Sequence, residues 1–357
     1  MNNALTYDDI QLVPGFSKIK SRQDIHLRTM LTRRYGLLNP IVASPMDTVC
    51  EEEMAFRMFM LGGVGCIHRF MDSEEQARQI KSLAGRIYGN GFGGPFEYWG
   101  IMLDDWHAEL KHIPIMAAIG VGGESKERAR LITEAGANVL LIDVAHGDHQ
   151  NVINMIEWCK GNLDSNVDII AGNIATSQAA ERLQEAGADG LRVGIGGGSL
   201  CTTRIKTGFG VPNVTSLTEV SKVATVPVMA DGGIRSSGDI AKALAVGASN
   251  VMLGSLLAGT SEAPGKIIEK SGTLYKRYRG SASLETKTAH GQAQRNVEGE
   301  STTIPFKGGV KFIVDGLIDG VKSALSYGGA DSLDNYAPDY VTVTNSGAAE
   351  AKPHLLS

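Results

Sequence analysis

Residues 226–255, VPVMADGGIRSSGDIAKALAVGASNVMLGS, decide the fold class. Two short apolar runs, 226–231 and 250–254, flank a stretch, 237–247, that begins beside a serine, ends at a glycine and carries apolar residues at helical spacing. Short apolar runs rich in β-branched residues are typical of strands buried on both faces, and an intervening helix is typical of a parallel βαβ unit. We therefore predict a strand, a helix and a parallel strand here.

The same alternation recurs along the chain. Further apolar runs lie at 40–44, 64–68, 114–120, 138–143, 167–172 and 190–194, with helix-like stretches such as 125–136 and 177–187 between them. Eight such units predict an α/β protein with a single (β/α)8 TIM barrel. We expect the barrel domain to cover 1–331 and an irregular tail to follow over 332–357. The glycine- and aromatic-rich segment 89–106 is interpreted as a surface excursion or cap of the barrel.

Composition narrows the function classes. The chain has 357 residues, 43% of them hydrophobic, and a formal net charge of −5. A negative charge argues against sequence-independent nucleic-acid binding, and the absence of a long apolar run or charged leader argues against a membrane protein or a secreted one. We expect a cytoplasmic enzyme. The four cysteines lack metal-ligand spacing, so we expect reduced thiols, three of which only pack.

Polar and glycine-rich residues follow the predicted strands. They lie at 46–48, 143, 172–173, 194–201, 231–233 and 254–255. Barrel enzymes place their active sites at the C-terminal ends of the strands. The sequence therefore predicts one site to which all these positions contribute.

Cys201 is the candidate nucleophile. It follows the glycine-rich turn 194–198 and precedes Thr203, with Arg204 and Lys206 nearby. Glycines allow a close approach of backbone to phosphate, and a thiol on such a loop is placed to attack what the phosphate carries. The alternatives are an inert packed cysteine and an ordinary loop threonine.

The turns after the seventh and eighth predicted strands are the candidate phosphate site. Asp231-Gly232-Gly233 and Gly254-Ser255 have the positions of the usual barrel phosphate site, with an aspartate suited to ribose hydroxyls. Alternatively, the glycines only make tight turns. Asp143 is a candidate for a second ribose, although its surroundings are not a G-x-G-x-x-G fingerprint.

A polar run over 281–303 follows the eighth predicted strand. It is interpreted as a mobile flap over the mouth of the barrel, leading to a last helix at 310–326.

Together, these residues resemble the family of IMP dehydrogenases and GMP reductases, from LTYDDI at 5–10 to Tyr327. The motifs are SPMDTV (44–49), GGVGCIH (62–68), AAIGV (117–121), DVAHG (143–147), AGN (171–173), GIGGGSLCTTR (194–204), ADGGIR (230–235), MLGSLLA (252–258) and YRG (278–280). The resemblance implies a (β/α)8 barrel, usually a homotetramer. From the length of 357 residues we expect no regulatory cystathionine-synthase-type (CBS) domains, which suits reductases, although some dehydrogenases lack them too.

The resemblance also implies a purine nucleoside monophosphate as substrate. Cys201 would attack C2 of the purine to form a covalent thioimidate. In the dehydrogenase, hydride leaves to NAD and water releases XMP, whereas in the reductase ammonia leaves GMP and NADPH delivers hydride to give IMP.

Other site residues are implied by position. Ser199, Asp231, Gly232, Gly233, Gly254, Ser255 and Tyr278 would hold the ribose phosphate, Ser44 and Met46 would line the nucleotide, and Gly280, Ser281 and Ala282 would face the base. Asp143, Gly172, Asn173 and Gly194 would line the dinucleotide pocket, with Arg69 a candidate for the added phosphate of NADPH.

The flap favours the reductase. Dehydrogenases carry an Arg-Tyr pair on a longer flap, whereas QRNVEG at 294–299 resembles the Tyr-Arg-x-x-Glu-Gly of reductases. By this resemblance Arg295 and Gly299 would contact the substrate, and Glu298 with Thr203 would protonate departing ammonia. The expected activity is NADPH-dependent conversion of GMP, or a close guanine nucleotide, to IMP.

Other features favour an IMP dehydrogenase that uses NAD. They are SPMD at 44–47, AAIG at 117–120, GVP at 210–212 and the tail AAEAKPH at 348–354. In dehydrogenases the tail joins a potassium site, here implied to comprise Gly196, Gly198 and Cys201 with Glu350 of another subunit. A third alternative is a nucleotide-binding or assembly protein that has lost turnover.

Overall fold

The barrel is closed by eight parallel strands, as predicted. The computed structural model describes residues 3–88, 113–281, 283, 285, 299–344 and 347. The barrel strands are β1 Ile41–Ala43, β2 Val64–Ile67, β3 Met116–Ile119, β4 Val139–Asp143, β5 Asp168–Ile174, β6 Gly190–Val193, β7 Val228–Asp231 and β8 Asn250–Leu253. Each strand pairs with the next in the chain, and β8 pairs with β1 to complete the cylinder. Every predicted apolar run overlaps one of these strands, and only β5 extends beyond its run, to Ile174, so the (β/α)8 prediction is confirmed.

Helices surround the barrel. They are α1 Glu52–Met60, α2 Ser73–Tyr88, α3 Ser125–Glu134, α4 Gln150–Asn162, α5 Ser177–Glu185, α6 Asn213–Ser221, α7 Ser237–Ala245 and α8 Val310–Gly328. Hydroxyl caps start several of them: Ser236 Oγ accepts a hydrogen bond from the amide of Asp239 at 3.2 Å, and Thr176 Oγ1 accepts one from Ala179 at 3.3 Å. Such caps satisfy amides that have no partner within the helix.

Two apolar cores hold the barrel together. One fills the space between strands and helices, and the other fills the barrel interior with residues such as Val42, Met116 and Leu141. Leu31 and Tyr35, each 1% exposed, belong to the interior core. They lie beside the short antiparallel strands Thr29–Met30 and Gly36–Leu37.

An ion pair fastens this N-terminal hairpin to the barrel. Asp168, at the start of β5, accepts hydrogen bonds from Thr32 Oγ1 at 2.6 Å and Arg34 Nε at 2.8 Å. The hairpin therefore covers the N-terminal end of the barrel, and the opposite end is left for ligands.

Two regions depart from the predictions. A three-stranded antiparallel sheet follows β8, formed by Ile268–Lys270, Thr273–Arg279 and Ser301–Pro305, so the predicted flap 281–303 ends in a strand. The tail predicted as irregular includes a strand, Tyr340–Thr342, that pairs with Ile10–Leu12. The mobility of the flap stays a prediction. Among the described helices, none is both long and apolar enough to cross a bilayer.

Candidate active site

A cavity of about 490 Å³ opens at the C-terminal ends of the barrel strands. Its lining includes most of the residues that the sequence singled out. These are Ser44, Met46, Arg69, Asp143, Asn173, Gly194, Gly196, Gly198, Ser199, Cys201, Thr203, Asp231, Gly232, Gly233, Gly254, Ser255, Tyr278, Gly280, Ser281 and Gly299. Residues from the ends of seven of the eight predicted strands therefore meet in one place.

Cys201 lies on this lining, half-buried, with a hydroxyl beside its sulfur. Its Sγ donates a hydrogen bond to Oγ1 of Thr203 at 3.2 Å, and its amide donates to the Gly198 carbonyl at 3.1 Å. Thr203 begins a five-residue helix, Thr203–Thr207, so the backbone geometry of that turn holds the two side chains together.

The other three cysteines are buried, as predicted. Burial raises the pKa of the Cys50 and Cys66 thiols well above the ordinary value, and raises the pKa of Cys159 to about 12. These thiols stay protonated at neutral pH, and the partly exposed Cys201 is the cysteine on the cavity wall. Geometry therefore separates the candidate nucleophile from the packing cysteines.

The glycine turns after β6 and β7 pack backbone against backbone. A Cβ at Gly194, where φ is +142°, would lie 2.0 Å from the Asp231 carbonyl oxygen, and one at Gly232, where φ is +89°, would lie 2.9 Å from Gly197. Asn213, at the start of α6, donates from Nδ2 to the carbonyls of Asp231 and Gly232 at 3.0 and 2.6 Å. Only glycine fits these positions, and the contact fixes Cys201 relative to Asp231.

Hydroxyl groups gather at one end of the cavity. Ser199 Oγ and Tyr278 OH are 3.1 Å apart, and Ser255 lies on the same lining. A Cβ at Gly254 would lie 3.2 Å from Tyr278 OH and from Met46 Sδ, so glycine lets this turn approach both. Burial raises the pKa of the Tyr278 phenol, which keeps it a neutral hydrogen-bond donor. Neutral donors beside a glycine turn suit a phosphate group.

Two carboxylates share one buried arginine. Arg192 on β6 donates from Nη1 to Asp143 Oδ1 at 2.5 Å and from Nε to Asp231 Oδ2 at 3.1 Å. Burial alone lowers the pKa of this guanidinium, but the carboxylates of Asp231 and Asp143 outweigh it and raise the pKa. The sequence analysis missed Arg192; an arginine inside the otherwise apolar strand 190–193 was the available signal.

Of the residues predicted for the dinucleotide pocket, all but Gly172 line the cavity. Asp143, Asn173 and Arg69 lie on the cavity, and Arg69 Nη2 donates to the Asp143 carbonyl at 3.1 Å. Gly172 is not among the residues that line the cavity, and its contact with the cofactor stays a prediction. A Cβ at Gly172 would lie 2.4 Å from the Arg192 carbonyl, so this glycine allows close packing of β5 on β6.

An ion pair joins the loops on either side of the candidate base pocket. Arg279, which precedes Gly280 and Ser281, donates to Asp47 Oδ2 from Nε at 2.9 Å and from Nη2 at 2.7 Å. Asp47 follows Met46, and its side chain is 4% exposed. The pair therefore fixes the distance between two cavity-lining segments.

The end of the predicted flap lies against the nucleophile. Gly299 forms an antiparallel bridge with Cys201, and the amide of Glu300 donates to the Leu200 carbonyl at 3.0 Å. Ala282, Arg295, Glu298 and Glu350 lie outside the described residues. Among those described, no cluster of three or more His, Cys, Asp or Glu side chains forms a metal site. The predicted potassium site would use backbone carbonyls, of which that of Gly198 already accepts the Cys201 amide.

The family model described as IMP dehydrogenase / GMP reductase domain matches residues 4–354. The chain belongs to this family. The resemblance inferred from the motifs is thereby confirmed, and with it an oxidoreductase of guanine nucleotide metabolism that uses nicotinamide cofactors and binds purine nucleoside monophosphates.

Both branches of the IMP dehydrogenase/GMP reductase family are found at similar distance. The chain is 37% identical to an inosine-5′-monophosphate dehydrogenase of Cryptosporidium parvum, covering 99% of this chain and 96% of that protein. It is 31% identical to a GMP reductase of Leishmania major, covering 99% and 97%. A crystal structure of a Trypanosoma brucei GMP reductase variant in complex with guanosine 5′-monophosphate superposes with a TM-score of 0.89, at 31% identity and with 100% and 99% coverage.

Proposed function

We propose that this protein is a GMP reductase, which converts GMP to IMP and ammonia with NADPH through a thioimidate on Cys201. The observation that carries the proposal is the bridge between Cys201 and Gly299. Gly299 directly follows Glu298 in the sequence and closes the reductase-like motif that begins near Arg295. The reductase-like motif at 294–299 therefore ends at a residue that pairs with Cys201.

The reaction starts at Cys201. Its thiolate attacks C2 of the purine, the C2–N bond breaks, and ammonia leaves with protons supplied by Glu298 and Thr203. NADPH, when bound, supplies a hydride to C2. The C–S bond then breaks, the sulfur regains its electron pair, and IMP is released. The balance is GMP, NADPH and two protons to IMP, ammonium and NADP⁺.

The nucleotide fits the hydroxyl end of the cavity. Ser199, Ser255 and Tyr278 would donate to its phosphate together with the amides of Gly233 and Gly254, and Asp231 would accept the ribose hydroxyls. This places the purine toward Cys201, Ser44 and Met46, which line the same cavity. Pre-organised neutral donors require little rearrangement when the phosphate arrives.

The cofactor would bind at Asp143, Asn173 and Arg69, which line the same cavity. The Asp143 carboxylate suits ribose hydroxyls, the Asn173 amide suits a carboxamide, and the Arg69 guanidinium suits an added phosphate. Asn173 Nδ2 donates to Asp231 Oδ2 and to the Gly194 carbonyl, both at 2.7 Å, which holds the side-chain carbonyl oxygen of Asn173 in one orientation.

We also propose that the protein is a homotetramer located in the cytoplasm. Gel filtration with light scattering tests the oligomeric state, and cell fractionation tests the location.

The second candidate is an IMP dehydrogenase that uses NAD. The dehydrogenase-like motifs at 44–47, 117–120 and 210–212 favour it, as does the tail at 348–354. On this alternative, C2 loses hydride to NAD, water then hydrolyses the thioimidate to release XMP and the thiol, and potassium activates.

A two-way assay with product identification distinguishes the candidates. Purified protein is mixed with GMP and NADPH, or with IMP and NAD in the presence of potassium, and absorbance at the nicotinamide band is followed while nucleotides are separated. A reductase consumes NADPH and releases ammonia and IMP in equal amounts. Accumulation of XMP from IMP and NAD would show a dehydrogenase instead. Tight nucleotide binding without turnover in either direction would show a protein that has lost catalysis.

A further inference from the structure

Arg192 occupies an inward-facing position at the middle of a barrel wall. It lies on β6 between Leu191 and Val193, and its side chain is 8% exposed. Leu191 and Val193 belong to the apolar core between strands and helices, whereas Arg192 lines the cavity. A charged side chain at such a position costs desolvation free energy unless it is well paired. Its partners therefore account for its presence.

Those partners lie on opposite sides of the guanidinium. Arg192 reaches Asp143 at the end of β4 from Nη1, and reaches Asp231 at the end of β7 from Nε and Nη2, both at 3.1 Å. Asp143 is the candidate for the dinucleotide ribose and Asp231 the candidate for the nucleotide ribose. One buried cation thus lies between the two candidate ribose acceptors.

The hydrogen bonds leave one oxygen of each carboxylate for other partners. Arg192 and Asn173 both donate to Oδ2 of Asp231, and among the described residues no hydrogen bond falls on its Oδ1. On Asp143, Arg192 takes Oδ1, while Arg69 Nε lies 3.6 Å from Oδ2. Arg192 therefore anchors each carboxylate by one oxygen, while the second oxygen of Asp143 faces Arg69 and that of Asp231 accepts no hydrogen bond from a described residue.

The positive charge of Arg192 is shared between the two carboxylates, and Arg69 lies beside Asp143 as a second cation. When two acceptors share a donor, strengthening one bond weakens the other, because the donor moves and its charge is redistributed. Arg192 therefore provides a physical link between Asp143 and Asp231, since the same guanidinium contacts both carboxylates.

We propose that Arg192 is a positioning residue that couples the two binding sites: it holds Asp143 and Asp231 in place, and through it the dinucleotide site sets the affinity of the nucleotide site. The inference rests on the proposed nucleotide and dinucleotide sites but not on the direction of the reaction. It requires no turnover, so equilibrium binding is the measurement.

A double-mutant cycle tests the coupling. Nucleotide affinity is measured by calorimetry, with GMP and separately with IMP, for the unsubstituted protein, Asp143→Asn, Arg192→Met and the double variant. We expect Asp143→Asn to weaken nucleotide binding about three- to tenfold, because Arg192 then neutralises Asp231 more fully and makes it a poorer acceptor. In the Arg192→Met background the same Asp143→Asn change should shift the affinity by less than about twofold.

Conservative and distant variants separate coupling from loss of structure. Arg192→Lys keeps the charge and should restore part of the coupling that Arg192→Met removes, even if Arg192→Met folds poorly. Arg34→Lys changes another arginine–aspartate contact, with Asp168 at the far end of the barrel, and should leave nucleotide affinity unchanged. Circular dichroism checks the fold of each variant.

Equal effects of Asp143→Asn with and without Arg192 would overturn the proposal, as would unchanged nucleotide affinity in Asp143→Asn. Failure of the proposed function has a different signature. If GMP is not reduced but IMP is oxidised, the cycle can still be completed with either nucleotide. If neither nucleotide binds the unsubstituted protein, the nucleotide site itself is wrong and both proposals fall.

Discussion

The Sγ atom of Cys201 lies 3.2 Å from the Oγ1 atom of Thr203, and both side chains face the same cavity. This contact joins the candidate nucleophile to a hydroxyl that can pass a proton to a leaving group at the carbon under attack. The backbone on either side is held by glycine contacts and by the start of a short helix, so the contact is formed before any ligand binds.

Cys201→Ala should abolish turnover and leave nucleotide binding within a small factor. The substitution removes the sulfur that forms the covalent bond but none of the proposed phosphate or ribose contacts, so we expect kcat to fall on the order of 10³-fold or more. Steady-state kinetics and calorimetry with GMP measure the two effects. Cys159→Ala is the matched control, because that thiol is buried away from the cavity. Retained turnover in Cys201→Ala would refute a covalent role.

Tyr278→Phe should raise the KM for the nucleotide with a smaller effect on kcat. The phenol is neutral and 3.1 Å from Ser199, so its loss removes one hydrogen bond to a charged phosphate, worth about 1.5 kcal/mol or roughly tenfold in affinity. Comparing GMP with guanosine checks the assignment, since a nucleoside lacks the phosphate and should bind both proteins equally. Equal losses for GMP and guanosine would place Tyr278 away from the phosphate.

The barrel was predictable because its signal is local and repeated. Short apolar runs at β4, β7 and β8 can only be buried on both faces, and the polar residues that follow them must meet at one end of a parallel barrel. For that reason Cys201, Asp231 and Ser255 were predicted as neighbours although they are far apart in the chain.

What was not predictable depends on contacts between distant segments. The pairing of Ile10 with Thr342 and of Arg279 with Ser301 joins segments that are far apart or separated by the flap, and a strand-like run such as YVTVT at 340–344 does not indicate its partner strand. Arg192 was missed because a single charge in an apolar strand has a function only when its two carboxylate partners are placed. Gly172 was implied as a cofactor contact by the family resemblance, and its close packing against the Arg192 carbonyl depends on a neighbouring strand that the local sequence does not reveal.

Arg279→Gln should lower both stability and nucleotide affinity. The Arg279–Asp47 pair is largely buried, and breaking it leaves the Asp47 carboxylate with a weaker partner, at a cost of about 3 kcal/mol. The segments that carry Met46 and Ser281 are then no longer held together, so KM should rise as well. Urea unfolding and steady-state kinetics measure the two effects.

Arg78→Gln is the control for this prediction. It removes an arginine–glutamate pair on the surface of α2, whose arginine side chain is 65% exposed, and should change neither quantity appreciably. If Arg279→Gln lowers stability while KM stays constant, the pair supports the fold without positioning the site.

Stability should fall at alkaline pH because of buried tyrosines. Burial raises the pKa of Tyr35 to about 12, while its hydroxyl donates to the Asn166 carbonyl at 2.7 Å. The ordinary pKa of tyrosine, which applies to the unfolded chain, is 10.0. The stabilising contribution is therefore fully present below pH 10 and is lost as the pH rises toward 12, since only the unfolded chain releases the proton in that range. By pH 11 the expected loss of unfolding free energy is about 1.4 kcal/mol for this residue.

Urea unfolding between pH 8 and 11 measures this loss. The free energy of unfolding should fall less steeply with pH for Tyr35→Phe than for the unsubstituted protein, even though Tyr35→Phe starts from lower stability. Tyr327→Phe, at a side chain that is 65% exposed, should leave the slope unchanged; an equal decline in all three proteins would show that Tyr35 does not control the alkaline limit.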